Sequence, residues 1–190
     1  MKNVIIGLCA SMLLVGTAMA GDYAGFDYSS KQKVGVAEQH DVYGVTVGDN
    51  IGKFAVEGRM ENEIVHDPSK HEGLFQLRGA YNITNFHGLT PYVAGAVGYK
   101  SKATSNFDYY VVEGGLKYDV TKQIQLKATS RLRTPFNETD IGEGNKYRTV
   151  ENSLQVGYKF TPTNQLTAKI AREHGDSNYH TWGVGYVHSF

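Results

Sequence analysis

Large apolar side chains recur at every second position through much of the chain. The last nine residues set the pattern. Trp182, Val184, Tyr186, His188 and Phe190 are large, and Gly183, Gly185, Val187 and Ser189 between them are mostly small. A period of two is that of a β-strand, whose successive side chains point to opposite faces. The same alternation predicts strands from about Gln165 to His174, Tyr147 to Phe160, Gln123 to Arg133 and Asp108 to Val120. Nearer the N-terminus it predicts a strand opening at Pro91 with Val93, Val97 and Tyr99, and one from about Glu72 through Phe75, Leu77, Tyr81 and Ile83. Lys53 to His66 forms another, and Tyr43, Val45 and Val47 mark one before it. Turn residues separate the segments at Gly48-Asp49-Asn50-Ile51-Gly52, Thr121-Lys122, Thr161-Pro162-Thr163-Asn164 and Gly175-Asp176-Ser177-Asn178.

In water, an alternating aromatic strand at an open edge invites pairing with another chain. A strand that closes a membrane barrel has no free edge and meets lipid on one face. The pattern therefore predicts an all-β fold, a closed antiparallel up-and-down transmembrane β-barrel. Such barrels have an even number of strands with both termini on the periplasmic side. The nine segments above then need a tenth, from Asp22 to about Lys31, where Ala24, Phe26 and Tyr28 alternate with Tyr23, Gly25 and Asp27. Ten strands is the expectation, and eight is the alternative if two early segments merge or fail to cross. Parity puts the turns near Asp49, Asn85, Thr121 and Thr161 in the periplasm. The connections near Lys33, Asp67, Ala103, Thr134 and Asp176 fall outside. The longest, Thr134 to Lys146, is the best surface for an extracellular ligand, whose identity the sequence does not disclose.

The first twenty residues stand apart. Lys2, an apolar run from Val4 to Thr17, and Ala18-Met19-Ala20 before Gly21 make a cleavable secretory signal. The run is shorter than the ~20 residues of a spanning helix. Two domains result: a signal peptide over 1–20 and a barrel over 21–190. The one cysteine, Cys9, leaves with the signal, so the mature chain has no disulfide and no thiolate. Without Lys2 the chain holds 18 basic and 19 acidic residues, a balance that gives nucleic acid no reason to bind. The partners expected are outer-membrane lipid, lipopolysaccharide and the barrel assembly machinery.

Charge follows the face opposite the apolar one. Glu57, Arg59, Glu61 and Glu63 alternate along one segment, and Arg78 follows on the next. Glu113, Lys117 and Asp119 share a third, and Lys127, Arg131 and Arg133 a fourth. Glu151 and Lys159, then Lys169 and Glu173, complete the set. In a barrel this face is the lumen. Charges of both signs in a confined, low-dielectric space are expected to pair. A lumen laced with ion pairs suits a structural or interaction role with short outer loops. The alternative is a narrow porin-type channel for small polar solutes, across which the bases of the fourth segment and the acids of the first would set up a transverse field.

A third reading, an outer-membrane lipid or peptide hydrolase, rests on His174, Asp176 and Ser177 at an outer turn. Turn chemistry explains Gly175, Asp176 and Asn178 without it, so no catalytic residue is assigned and the protein is read as a non-enzyme. His66, Asp67, His71 and Glu72 form a loop cluster that solvation explains equally well, and no metal is assigned. No phosphate loop, dinucleotide fingerprint or haem motif occurs, so no cofactor is expected.

Pro91-Tyr92-Val93-Ala94-Gly95-Ala96-Val97-Gly98-Tyr99 resembles a strand of the small OmpA-like, opacity-type outer-membrane proteins. Glu113 to Tyr118 followed by Gln123 to Ala128 resembles the hairpin that follows it there. Gly183-Val184-Gly185-Tyr186 through Phe190 resembles the end of OmpX-like barrels, in which Tyr186 and Phe190 would belong to the C-terminal assembly signal. The resemblance implies insertion in a Gram-negative outer membrane and a membrane-stabilising, adhesive, host-interacting or pore-like role. It also implies eight strands. His188 departs from the aromatic or aliphatic residue usual at its place, and the family's periplasmic cell-wall domain is not expected after Phe190.

Overall fold

The computed structural model describes residues 21–66, 69–102, 106–137, 147–175 and 178–190. The expected signal peptide, Asp67, Asp176, Ser177 and most of the long connection lie outside these residues. Ten strands follow one another: β1 (Asp22–Lys33), β2 (Gln39–Ile51), β3 (Phe54–His66), β4 (Ser69–Asn82), β5 (Leu89–Ser101), β6 (Asn106–Asp119), β7 (Ile124–Pro135), β8 (Thr149–Lys159), β9 (Asn164–Gly175) and β10 (Tyr179–Ser189). Each pairs antiparallel with its neighbours in sequence, and β1 pairs with β10, so the sheet closes into a barrel. Ten is the count that parity required, two more than the family resemblance implied.

The seam is continuous. Tyr23 pairs with Ser189, Asp27 with Gly185 and Lys31 with Thr181, and the Phe190 amide donates to the Asp22 carbonyl at 2.9 Å. Strands of 11 to 14 residues, tilted as closure demands, rise about 30 Å, the depth of a hydrocarbon core. At the end that carries the termini the links are tight. Ile51 pairs with Phe54 across Gly52-Lys53, and Gly52 takes φ +65°, the left-handed conformation that a two-residue hairpin favours.

The exterior is apolar. Ile170, Phe54, Val112 and Trp182 stand more than half exposed, as do Val56, Val93, Leu166 and Val184. Two aromatic belts bound this surface. Phe54–Tyr81 and Phe160–Tyr186 stack at the end that holds the termini, and Tyr28–Tyr43, Tyr28–Trp182 and Tyr110–Phe136 at the other. Apolar side chains outside, aromatic belts at two levels and charge within describe a barrel solvated by lipid. The protein is an integral outer-membrane β-barrel.

Element boundaries differ from the expectation in two places with a physical cause. β8 begins at Thr149 instead of Tyr147, because Tyr147 turns inward and stacks edge-on against Phe107 at 4.4 Å. β4 begins at Ser69, ahead of Glu72, because its pairing with β3 continues to the His66–Ser69 rung.

Candidate functional site

The strand register sends one parity of each strand inward. On β3 that parity is Ala55, Glu57, Arg59, Glu61, Glu63 and Val65, and on β7 it is Lys127, Thr129, Arg131 and Arg133. The lumen these residues fill is lopsided.

From β1 through β6 it is packed. Arg59 grips Asp27 through two nitrogens at 2.8 Å and Glu61 at 2.6 Å. Arg78 bonds Glu57 on one side and Glu113 at 2.7 Å on the other. Nearer the outer loops Glu63 takes Lys100 at 2.9 Å, Lys31 at 3.4 Å and His40 at 2.7 Å. Lys100 also reaches Glu72 at 2.9 Å. Aromatic clusters plug the spaces above and below these pairs. Phe107, Tyr109 and Tyr147 pack with Ala96 and Val111, and Tyr92 packs with Ala55, Ala80 and Ala94.

Glycine makes room for this filling. Tyr23 on β1 faces Gly48 on β2, and a Cβ on Gly48 would lie 2.6 Å from the ring. The ring crosses that strand and its hydroxyl donates to Glu57 on β3 at 2.5 Å. Tyr92 crosses Gly115 to reach Thr129 at 2.7 Å, and Tyr109 crosses Gly98 to reach Gln76 at 3.3 Å. Arg59 crosses Gly44 to reach Asp27 in the same way. Each long side chain lies over a bare stretch of backbone and ties down the strand beyond.

The wall from β7 to β10 is different. Its inward residues include Ser153, Gln155, Thr167, Thr181, Gly183 and Gly185, all short or uncharged. Against this wall runs a cavity of about 290 Å³. Its lining extends along β1 from Tyr23, near the termini, to Lys31, near the outer loops, and so follows the barrel axis.

Ten of the charged residues singled out from the sequence line the cavity: Glu57, Arg59, Glu61, Arg78, Glu113, Lys127, Arg131, Arg133, Glu151 and Lys169. Lys117 does not. It lies towards the termini, bonded to the Asn82 amide oxygen at 2.9 Å and set over the Tyr92 ring at 5.2 Å. Glu173 faces inward and is buried, outside the cavity wall. Asp119 and Lys159 sit at strand ends and are exposed, Asp119 accepting from Gln125 at 2.8 Å.

The expectation that the inner charges pair holds for most of them and fails for one row. Glu151 pairs with Lys169 at 2.8 Å. Among the described residues, no carboxylate lies within ion-pair distance of Lys127, Arg131 or Arg133: Asp27, Glu57, Glu61, Glu113 and Glu151 are held by Arg59, Arg78 and Lys169, and Glu173 stands too far away. Lys127 sits over the Tyr92 ring at 5.1 Å, and Arg133 sits near the Tyr109 and Tyr147 rings, donating to the Tyr147 hydroxyl at 2.6 Å. Arg59 and Arg78 each answer two carboxylates, so the packed side carries two clusters with an excess negative charge opposite three bare bases on β7.

At the outer rim, Glu38 in the link between β1 and β2 accepts from Lys33 at 2.9 Å and bonds His40 at 2.8 Å. Burial pushes its carboxyl up, but these two partners outweigh burial and hold it below the usual carboxylate range. On the outside, Tyr186 donates to Asn164 at 2.5 Å. His66 bonds Asp41 at 2.7 Å, while Glu72 turns inward to Lys100, so that loop cluster is divided between two faces. Among the described residues no group of three His, Cys, Asp or Glu side chains could hold a metal.

Sequence reasoning missed Asp27, Lys31, Lys100 and the inward aromatics Tyr92, Tyr109 and Tyr147. Strand parity places the first five on the inward face, but only the charges in the central strands were singled out.

No family model matches the chain, and no curated protein matches it in sequence. The fold has close counterparts. An outer-membrane channel from Pseudomonas putida F1 superposes with a TM-score of 0.61 at 9% identity, over 92% of this chain and 97% of that one. The β-domain of the Bordetella autotransporter BrkA superposes with a TM-score of 0.54 at 12% identity, over 90% and 99%. At such identities the likeness is one of fold. It is a likeness to barrels that cross a bilayer.

Proposed function

We propose that the protein is a narrow outer-membrane channel for small polar solutes. The cavity that follows the axis along β7 to β10 carries this reading. A lumen meant only as a plug has no reason to leave a cavity against one wall, where serine, threonine, glycine and glutamine stand between Lys127, Arg131, Arg133 and the Glu151–Lys169 pair, while ion-pair networks and tyrosines fill the opposite side. The packed side then acts as a stiff post that fixes the width of the passage. The fold shared with a Pseudomonas putida channel supports the reading. Kinship with the small OmpA-like barrels rests on the Pro91 to Tyr99 and closing-strand motifs and belongs to the same proposal. So do lipopolysaccharide around the outer belt, and Tyr186 and Phe190 as the signal presented to the assembly machinery. The ion-pair networks of β1 to β6 favour the second reading, a structural barrel with a closed lumen.

Purified full-length protein in planar bilayers separates the two. The channel gives stepwise currents that grow with salt concentration. Bilayers that stay silent across many insertions, with the protein shown to be folded, overturn it.

A further inference from the structure

Three cations on β7 face the cavity with no carboxylate within ion-pair distance among the described residues, and two of them hold a buried donor without an acceptor. Arg133 is 5% exposed. Its guanidinium spends one nitrogen on the Tyr147 hydroxyl, and its Nε finds nothing. The Nε of Arg131, the next inward residue, is likewise buried and unpartnered. A buried N–H with no acceptor is unfavourable, and a charged one more so. Of the nearby carboxylates, Glu61, Glu57, Glu113 and Glu151 are held by Arg59, Arg78 and Lys169, and Glu173, though buried and inward-facing, lies beyond ion-pair distance. The inward residues of the neighbouring strand, Ser153 and Gln155, add a hydroxyl and an amide on the same wall.

From this geometry we infer that Arg131 and Arg133, with Lys127 further down the strand, form a binding subsite for a small oxyanion travelling through the lumen. Planar guanidinium forks match the oxygens of a carboxylate or a phosphate, and aromatic rings on either side of Arg133 hold its fork in place. Lys127 adds a point charge that draws the anion along the wall. The shared chemistry is a compact oxyanion, whether inorganic phosphate or a short carboxylate. The inference rests on the channel reading, but binding can be measured without conduction.

Two measurements on the full-length protein test it. In bilayers with a potassium chloride gradient, the reversal potential has the sign of anion preference. Millimolar inorganic phosphate, and separately acetate, each reduce the chloride current, and the stronger of the two names the preferred oxyanion. In Arg131→Met and in Arg133→Met the block weakens about tenfold or more, as expected for the loss of one charge-assisted hydrogen bond. Cation preference, or currents indifferent to both anions, overturns the subsite and leaves the channel standing. If the bilayers stay silent, calorimetric titration of phosphate into the detergent-solubilised barrel decides. Saturable binding that Arg131→Met weakens upholds the subsite although the channel has failed. No heat above dilution in the wild-type protein overturns the subsite, whatever the variants do.

Discussion

Tyr109 lies across Gly98, its partner on the neighbouring strand, with ring and hydroxyl where any Cβ on that glycine would have to be. The pairing lets a tyrosine that is fully buried reach Gln76 two strands away. Tyr23 over Gly48, Tyr92 over Gly115 and Arg59 over Gly44 repeat it. Bare backbone on one strand is the seat for a long side chain from the next.

Gly98→Val removes one such seat. The branched side chain forces Tyr109 off its rotamer, and overpacking of this kind costs about 1–3 kcal/mol. In vesicles, urea unfolding followed by the fluorescence of Trp182, the chain's one tryptophan, shifts to a lower midpoint with an unchanged slope. Gly79→Val, where a Cβ meets nothing within 4 Å, leaves the midpoint almost unmoved, a change in stability of about 0.5 kcal/mol or less.

Arg78→Met strips the shared partner from Glu57 and Glu113. Two carboxylates are then left in the lumen without a cation, and breaking a buried pair in this way costs about 3–5 kcal/mol. The triple variant Arg78→Met, Glu57→Gln and Glu113→Gln recovers most of the loss in the same unfolding assay. If the triple variant is no more stable than the single one, the cluster owes its stability to packing instead of charge.

Ser153→Trp places an indole in the cavity, whereas Asn152→Trp, one residue away, points to the outside. The first variant reduces single-channel current several-fold and the second leaves it unchanged. Equal effects would mean that current does not pass along the β7 to β10 wall.

Glu38 sets an acid limit on the outer rim. Its pKa in the folded protein lies below the ~4.3 of a free glutamate. Its stabilising effect is therefore complete above that value and is lost as pH falls through the lower, folded one. Proteolysis of the 34–38 link accelerates on acidification below about pH 4, where the unfolded carboxyl is already half protonated. Glu38→Gln is cut faster at neutral pH and shows little further change.

Phe190→Ala tests the assembly signal. Its amide still bonds Asp22, so the folded barrel keeps its seam. Less barrel reaches the outer membrane, while protein refolded in detergent unfolds at the wild-type midpoint. A matching loss of stability in detergent would make Phe190 a packing residue only.

Much of the fold was legible because period-two alternation is a local signal. Each strand could be read within its own dozen residues, and even parity supplied the tenth, Asp22 to about Lys31, which the structure extends to Lys33. The lopsided lumen was not legible. Whether Arg131 finds a carboxylate depends on which residues of β3, β6 and β8 face it across the barrel, and that is set by register and curvature. The inward tyrosines were hidden for another reason. Tyr92 and Tyr109 sit beside Val93 and Tyr110 in stretches that are apolar on both faces, so residue type gave no sign that these two rings cross to the neighbouring strand inside the lumen.

The seam between β1 and β10 has a consequence in time. Tyr23 finds Ser189 only after almost the entire chain has been made and exported, so the strand that emerges first waits longest for its partner. Until then one edge of the sheet is open, with Phe26 and Tyr28 bared. Closing a loop of this length is slow for entropic reasons. The unclosed sheet is the state most open to wrong pairing, and any change that delays pairing along β1 lengthens its exposure without altering the finished barrel.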